Sequence, residues 1–388
     1  MVKRVAKKFL LSFFLLIPPS SSFARDIPGQ GYLIAGYRGK DGILIKIDEQ
    51  GQKIWSKLYG GRKDDQLTML TPTPNGNYIL IGDTISYGLG IYDVMAIKIS
   101  PQGKQYWLKT YGGENYDTST CIIPARGGGY IITGHFGDNG HGLIVRIDEN
   151  GNRVWLKTYK KTLQSGDAKW IIPALDGKGY MVTGNRYYVL EDKYHPSVME
   201  IDGNGNILWY KIYPFEGVPF KIIPATDGGY LVIGWTTSPK KDKEIMAMKI
   251  SQKGKIEWLK TYGTPGDDEA RGVIPTRDGG YILVGWTNYY SSYRHKDILI
   301  VKIDRWGRLM WSRLLQSRWN SGAYSITFTA DGNYLLVGFA ESPNPLVDNK
   351  PEPNIVAVKI SPEGKTIWIR TFAKKFPAKA FAVIPAQY

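Results

Sequence analysis

Cysteine occurs once in this chain, as Cys121, and histidine four times. One cysteine forbids an internal disulfide framework and any zinc site built on cysteine pairs. It precedes Ile122 and Ile123 in strand-like text, which reads as a buried structural thiol and not as a nucleophile. There is no Gly-x-Ser-x-Gly elbow, phosphate-binding glycine loop, dinucleotide fingerprint or His-Glu-x-x-His run. The commonest catalytic classes that a sequence can reveal are therefore missing. The apolar stretch from Phe9 to Ile17 is too short for a bilayer, which needs about twenty residues.

That stretch belongs to a targeting segment. Lys3, Arg4, Lys7 and Lys8 form a basic start, and Ser22-Phe23-Ala24 offers small residues for cleavage ahead of Arg25. Residues 1–24 are expected to be a signal peptide and residues 25–388 one mature domain. The mature protein is expected to be secreted or periplasmic, without stable membrane insertion once the leader is removed. No cysteine stands near the cleavage site to carry a lipoprotein anchor.

What the chain has in abundance is repetition. Tyrosines follow a glycine-containing turn at Tyr32, Tyr78, Tyr130, Tyr180, Tyr230, Tyr281 and Tyr334. Tryptophans recur at Trp55, Trp107, Trp155, Trp209, Trp258, Trp311 and Trp368. A period of about fifty residues with strand-like text inside is the mark of a β-propeller, whose units bury their faces against neighbours. In the sixth copy Gly272-Val273-Ile274-Pro275 is a short strand, and Asp278-Gly279-Gly280 turns into Tyr281-Ile282-Leu283-Val284. A variable loop leads to Ile298–Asp304, and the turn Asp304-Arg305-Trp306-Gly307 leads to the strand that carries Trp311.

The fold class is therefore all-β, a seven-bladed β-propeller with four antiparallel strands per blade. No Val-Ile-Pro strand precedes Tyr32, yet one follows the last Trp at Val383-Ile384-Pro385. The C-terminal strand is expected to complete the N-terminal blade and close the ring.

The net charge of +15 falls to about +11 without the leader. Bases stand two residues after each repeat Trp, from Lys57 to Arg370. Six more precede the Ile-Asp or Ile-Ser step, at Lys46, Lys98, Arg146, Lys249, Lys302 and Lys359. Lysines on an outer strand block edge-to-edge association, so all thirteen are expected around the rim. Charge spread in this way forms no stripe for nucleic acid, which is not expected as a partner. The links between blades end on Asp65, Asp117 and Asp268, read as caps on backbone N–H groups. One carboxylate per link supplies too few oxygens for calcium.

The text Lys-Ile-Asp-x-x-Gly-x-x-x-Trp and Asp-Gly-Gly-Tyr resembles a broad group of exported bacterial and archaeal repeat propellers, mostly uncharacterised, over residues 31–388. More distantly, Ile43, Lys46, Asp48, Gly51 and Trp55 look like the pyrroloquinoline-quinone-type repeat of quinoprotein propellers. The resemblance implies architecture, and it spans both dehydrogenases and non-enzymatic assembly proteins.

Variable loops and blade links emerge on one face of such a ring, where a site is expected. There Tyr187 and Tyr188 in the fourth loop, Trp235 in the fifth, and Trp286, Tyr289, Tyr293 and His295 in the sixth offer rings beside bases and amides. Such rings suit a carbohydrate or protein ligand, or they pack the loops onto the blades. Packing is favoured for Trp235 and Trp286, which directly follow a strand glycine. Thr68, Thr120, Lys169, Phe220, Arg271, Tyr324 and Phe381 align at the channel mouth. Lys169 and Arg271 are candidates for an anionic ligand or for bridging between blades. His135, His141, His195 and His295 are weak metal candidates, lying on separate loops without ligand spacing.

No text distinctive of a cofactor is present, and none is expected. The reading that follows is an exported, non-enzymatic propeller that binds polysaccharide or protein through the variable-loop face. The alternative is an extracytoplasmic enzyme, hydrolase or quinone-dependent dehydrogenase, with its site at the channel mouth.

Overall fold

The structure is a computed structural model that describes residues 31–387 other than 139, 161, 164–165, 240–241, 290–294, 345–348 and 373–375. The expected leader, and Tyr293 among the candidate ligand-binding residues, lie outside the described residues.

Among the described residues twenty-eight strands run from β1 (Tyr32–Arg38) to β28 (Ala378–Pro385) and form seven four-stranded antiparallel sheets. Blades 2 to 7 each take four consecutive strands, over residues 65–111, 117–158, 168–212, 217–262, 268–315 and 321–372. Blade 1 combines β28 with β1, β2 (Asp41–Ile47) and β3 (Lys53–Tyr59), in the order β28-β1-β2-β3. The ring closes as the sequence pattern predicts. Among the described residues no helix is long and apolar enough to cross a membrane.

Seven hydrophobic cores lie between neighbouring blades, because the second and third strands of every blade are apolar on both faces. The repeat residues clasp the blades together in both directions. Going forward, each outer-strand Trp packs on the tight turn of the next blade. A Cβ placed on Gly51 would stand 2.8 Å from the Trp368 ring, and on Gly103 3.3 Å from Trp55. These turn glycines sit at φ +78° and +75°, so only glycine meets both the backbone and the ring. Tyr59, Tyr111, Tyr159, Tyr213 and Tyr262 donate their hydroxyls to the carbonyl of that same glycine, at 2.6–3.0 Å. Going backward, Tyr78, Tyr180, Tyr230 and Tyr281 accept a backbone N–H from the preceding blade at 2.7–2.9 Å.

Of the six bases ahead of the Ile-Asp or Ile-Ser step, expected on the rim, three run inward instead, while Lys46, Lys98 and Arg146 stay half-exposed. Lys249, Lys302 and Lys359 are only 2–5% exposed. Each pairs with the Asp of its blade's first hairpin: Lys249 with Asp227 at 3.2 Å, Lys302 with Asp278 at 2.8 Å, Lys359 with Asp331 at 2.7 Å. The third strand is covered on both faces, so a lysine there stays charged only by reaching a carboxylate. In these three blades the third-strand lysine and the aspartate of the first hairpin are thus one ion pair. The bases after each Trp do stay at the rim, as Lys109 and Lys157 do on Asn152 and Asn206 of the next blade.

One irregularity positions the channel mouth. In every blade the innermost strand carries a β-bulge, whose extra residue is Thr68, Thr120, Lys169, Phe220, Arg271, Tyr324 or Phe381. A bulged residue leaves the ladder and its side chain is re-aimed, which explains why these aligned positions border the channel. The glycine of the second strand stands opposite. A Cβ on Gly285 would lie 1.7 Å from the Glu269 carbonyl oxygen, and on Gly82 1.8 Å from that of Gln66. Bulge and glycine are one device.

Candidate functional site

Two layers of side chains surround the mouth. The first is the set of bulge residues, all half-buried. The second is the residue after each second-strand glycine: Tyr37, Asp83, His135, Asn185, Trp235, Trp286 and Phe339. Blades 2 to 4 fill both layers with small or polar groups, and blades 5 to 7 and blade 1 fill them with rings and cations.

The polar half bonds largely within itself, although the buried Asn185 Oδ1 has no hydrogen-bond partner among the described residues. Thr68 and Ser119 share a hydrogen bond of 2.8 Å, and Thr120 donates to the Ala168 carbonyl at 2.6 Å. Asp83 accepts from the Ser119 N–H at 2.6 Å and from the Gln66 amide at 2.7 Å. Burial nonetheless pushes its carboxyl up to about 6. His135 Nδ1 lies 2.6 Å from Asp167 Oδ1, and Lys169 pairs with the other oxygen. Burial opposes the charge on Asp167, but Lys169 and His135 overcome it and hold the carboxyl well below its usual range. The hydrogen bond to Asp167 raises His135 in turn. Lys169, an anion candidate from sequence, is thus already neutralised.

The other half is cationic and aromatic. Lys243 Nζ lies 4.5 Å from the Trp235 ring centroid, Lys296 Nζ 3.5 Å from Trp286, and Lys379 Nζ 4.4 Å from Phe339. The Arg271 guanidinium lies 3.6 Å from the Phe220 ring. Trp235 and Trp286 are only 9% and 7% exposed, so they are platforms beneath lysines and not open stacking faces. Tyr324 continues the wall, edge-on to Phe381 at 5.4 Å and stacked on Phe339 at 5.9 Å. Glu269 holds Arg271 at 2.6 Å and Lys243 at 3.4 Å. Burial lowers Lys296 and Lys379 from the ordinary lysine range.

Deeper in, Lys221 follows the bulge of blade 5, and its Nζ lies 4.4 Å from the Trp170 ring. Burial brings this ammonium down to about 8. Cys121 is fully buried, with its thiol pushed up to about 12 by burial.

The fourth variable loop is largely strand. β13 (Gly179–Tyr188) and β14 (Lys193–Asp202) form a long hairpin with Tyr187 against Tyr194 at 4.9 Å and Tyr188 against His195 at 4.6 Å. β25 (Tyr334–Asn344) and β26 (Lys350–Ile360) extend blade 7 in the same way. Tyr289 is 43% exposed in the sixth loop, and His295 adjoins Lys296. His135 lies against Asp167 and His195 Nε2 stands 3.1 Å from Glu191, and no group of three metal-ligating side chains occurs among the described residues. Asp65, Asp117 and Asp268 cap backbone N–H groups of their links at 2.6–2.7 Å, as expected.

Arg271 and Trp286 were legible as candidates, whereas Lys379, Phe339 and Glu269 were not. They come from three blades and meet only in the ring. Two clefts of 360 and 490 Å³ lie at the rim, lined by the inter-blade clasp residues Tyr111 with Asn152 and Tyr159 with Asn206. They are products of the repeat and stand away from the mouth.

No family model and no curated protein matches the chain. Among solved structures it is similar to a protein of unknown function from Bacteroides caccae, with 12% identity and a TM-score of 0.46 over 77% of this chain and 98% of that one. It is similar also to Sqt1 from Chaetomium thermophilum, with 12% identity and a TM-score of 0.46 over 92% and 89%. The Dos1 propeller gives 11% identity and a TM-score of 0.46 over 78% and 73%. Likenesses this distant carry no argument about a ligand. The seven-bladed ring stands on its own strand order.

Proposed function

We propose that this chain is an exported, non-enzymatic propeller that binds a macromolecular ligand, polysaccharide or protein, at the channel mouth on the variable-loop face. The half-ring of cations laid on aromatic faces from blade 5 to blade 1 carries this reading. Ring closure does not require it, because blades 2 to 4 fill the same positions with small or polar groups. Half-buried ammonium groups are costly to hold in a fold and useful to a ligand. The leader-like text of residues 1–24 and the resemblance to exported repeat propellers support an extracytoplasmic setting.

The test is a glycan and protein-ligand screen of residues 25–388 beside two variants, Arg271→Ala/Tyr324→Ala at the mouth and Tyr289→Ala/Tyr293→Ala on the sixth loop. Binding by the parent, lost in the mouth variant at unchanged thermal stability and without turnover, is the expected result. Binding lost only in the loop variant moves the site outward. Turnover of a bound glycan replaces the reading with that of an enzyme.

A further inference from the structure

Four cations stand close together at the mouth, and their counter-charges are few. The Trp286 and Phe339 platforms beneath Lys296 and Lys379 adjoin, since a Cβ on Gly322 would stand 3.6 Å from Trp286 and 3.0 Å from the Phe339 ring. Glu269 is already engaged by Arg271 and Lys243. Glu341, the carboxylate that Lys379 senses, accepts from the Asn320 amide at 2.9 Å. Among the described residues no carboxylate lies within 4.0 Å of the Lys296 or Lys379 ammonium. Lys296 lies over the Trp286 ring and Lys379 over the Phe339 ring.

The shape beside these charges is also informative. Phe220, Tyr324 and Phe381 are half-buried at their bulges and line the same side of the channel. A ligand entering here meets ammonium donors and an aromatic wall at once. An inorganic anion uses only the donors. An acidic peptide side chain brings a carboxylate but no rigid apolar face. A uronic acid brings both, with its carboxylate held in a fixed position beside the C–H face of a pyranose ring.

We propose that this half of the mouth is a site for an acidic saccharide, its carboxylate held by Lys296 and Lys379 and its ring seated against Tyr324 and Phe381. Arg271 and Glu269 form a fixed pair that sets the floor. Lys243, shared with Glu269, adds attraction from the side of blade 5. The inference rests on the binding reading above and names its ligand class.

The experiment is calorimetric titration of residues 25–388 with oligogalacturonate, with the same oligomers after reduction of their carboxyls, with oligoglutamate and with inorganic phosphate. The proteins are the parent, Lys296→Met/Lys379→Met, Lys296→Arg/Lys379→Arg, and Lys53→Met as a control on an exposed outer-strand lysine. The expected result is binding of oligogalacturonate that weakens at least tenfold on carboxyl reduction and at least tenfold in the methionine pair. The arginine pair and Lys53→Met stay within about twofold. Equal weakening by Lys53→Met overturns the site in favour of diffuse charge attraction. Oligoglutamate or phosphate binding as tightly as oligogalacturonate overturns the saccharide assignment. Reduced oligomers that bind as well as the acidic ones, and indifferently to the methionine pair, overturn the carboxylate site while the binding reading survives. If no oligomer binds and Arg271→Ala/Tyr324→Ala abolishes no protein contact, both fall.

Discussion

Lys221 shows how single residues here trade stability for a charged interior. Its ammonium faces the Trp170 ring at 4.4 Å, and no carboxylate pairs with it among the described residues. A lysine ordinarily near 10.5 is brought to about 8 by burial. The folded state therefore sheds this proton before the unfolded chain does. Between those two values the unfolded state binds more protons, so stability rises with pH across that window. Below pH 8 the whole cost is present, roughly 3 kcal/mol for a displacement of this size. Lys221→Met is expected to stabilise the protein at pH 7 by up to that amount and to abolish the rise between pH 8 and 10.5. Urea unfolding at pH 7 and pH 9.5 measures both. A less stable variant at pH 7 would mean that the ring contact outweighs burial. Its neighbour Cys121, already fully buried, gains nothing reactive from the change.

At the scale of the element, the blade depends on pairs of features that the repeat text separates. The bulge of the inner strand and the glycine of the second strand are the clearest case. In blade 6 a Cβ on Gly285 would meet the Glu269 carbonyl at 1.7 Å, so the two backbones must part. Gly285→Ala is expected to cost about 2–3 kcal/mol and to displace Glu269 with Arg271. Gly203→Ala, where nothing lies within 4 Å of the added atom, is the neutral comparison. Thermal unfolding of both variants checks the cost. If Gly285→Ala melts with the parent, the bulge is softer than the geometry implies. Sequence carried half of such pairs. It showed the glycine and the aligned bulge positions, because each recurs in register. It did not show that Lys302 and Asp278 are partners, because 24 residues separate them and hairpin geometry alone brings them to 2.8 Å. A base in strand text with alternating exposure belongs on the rim, but a strand covered on both faces turns it inward. The long hairpin of β13 and β14 was hidden for a related reason. Its polar, aromatic text reads as loop until cross-strand pairing of Tyr187 with Tyr194 is known.

For the whole molecule the repeat was legible and the mouth was not. Fold, blade number and closure follow from spacing, since every copy must bury its faces on the next. The cations of the half-ring come from blades 5, 6 and 1, and only the curvature of the ring brings Lys243, Lys296 and Lys379 to one side. That curvature depends on closure. β28 pairs with β1 from Tyr32↔Pro385 to Arg38↔Ala378, and Tyr78 accepts the Gln387 N–H at 2.7 Å. β28 also supplies Lys379 and Phe381 to the mouth. Deleting residues 380–388 uncovers the edge of β1, where Tyr32 to Ala35 are no more than 1% exposed, and separates blade 7 from blade 1. The expected outcome is a Tm lower by about 10 °C or more, corresponding to several kcal/mol for a domain of this size. A synthetic peptide of residues 376–388 is expected to restore part of the loss by adding back the missing strand in trans. Differential scanning calorimetry with and without the peptide reads both effects. A truncated chain that melts with the parent would show that the seven blades hold their ring without the final strand, and that the mouth is fixed by the clasp of Trp and Tyr residues alone.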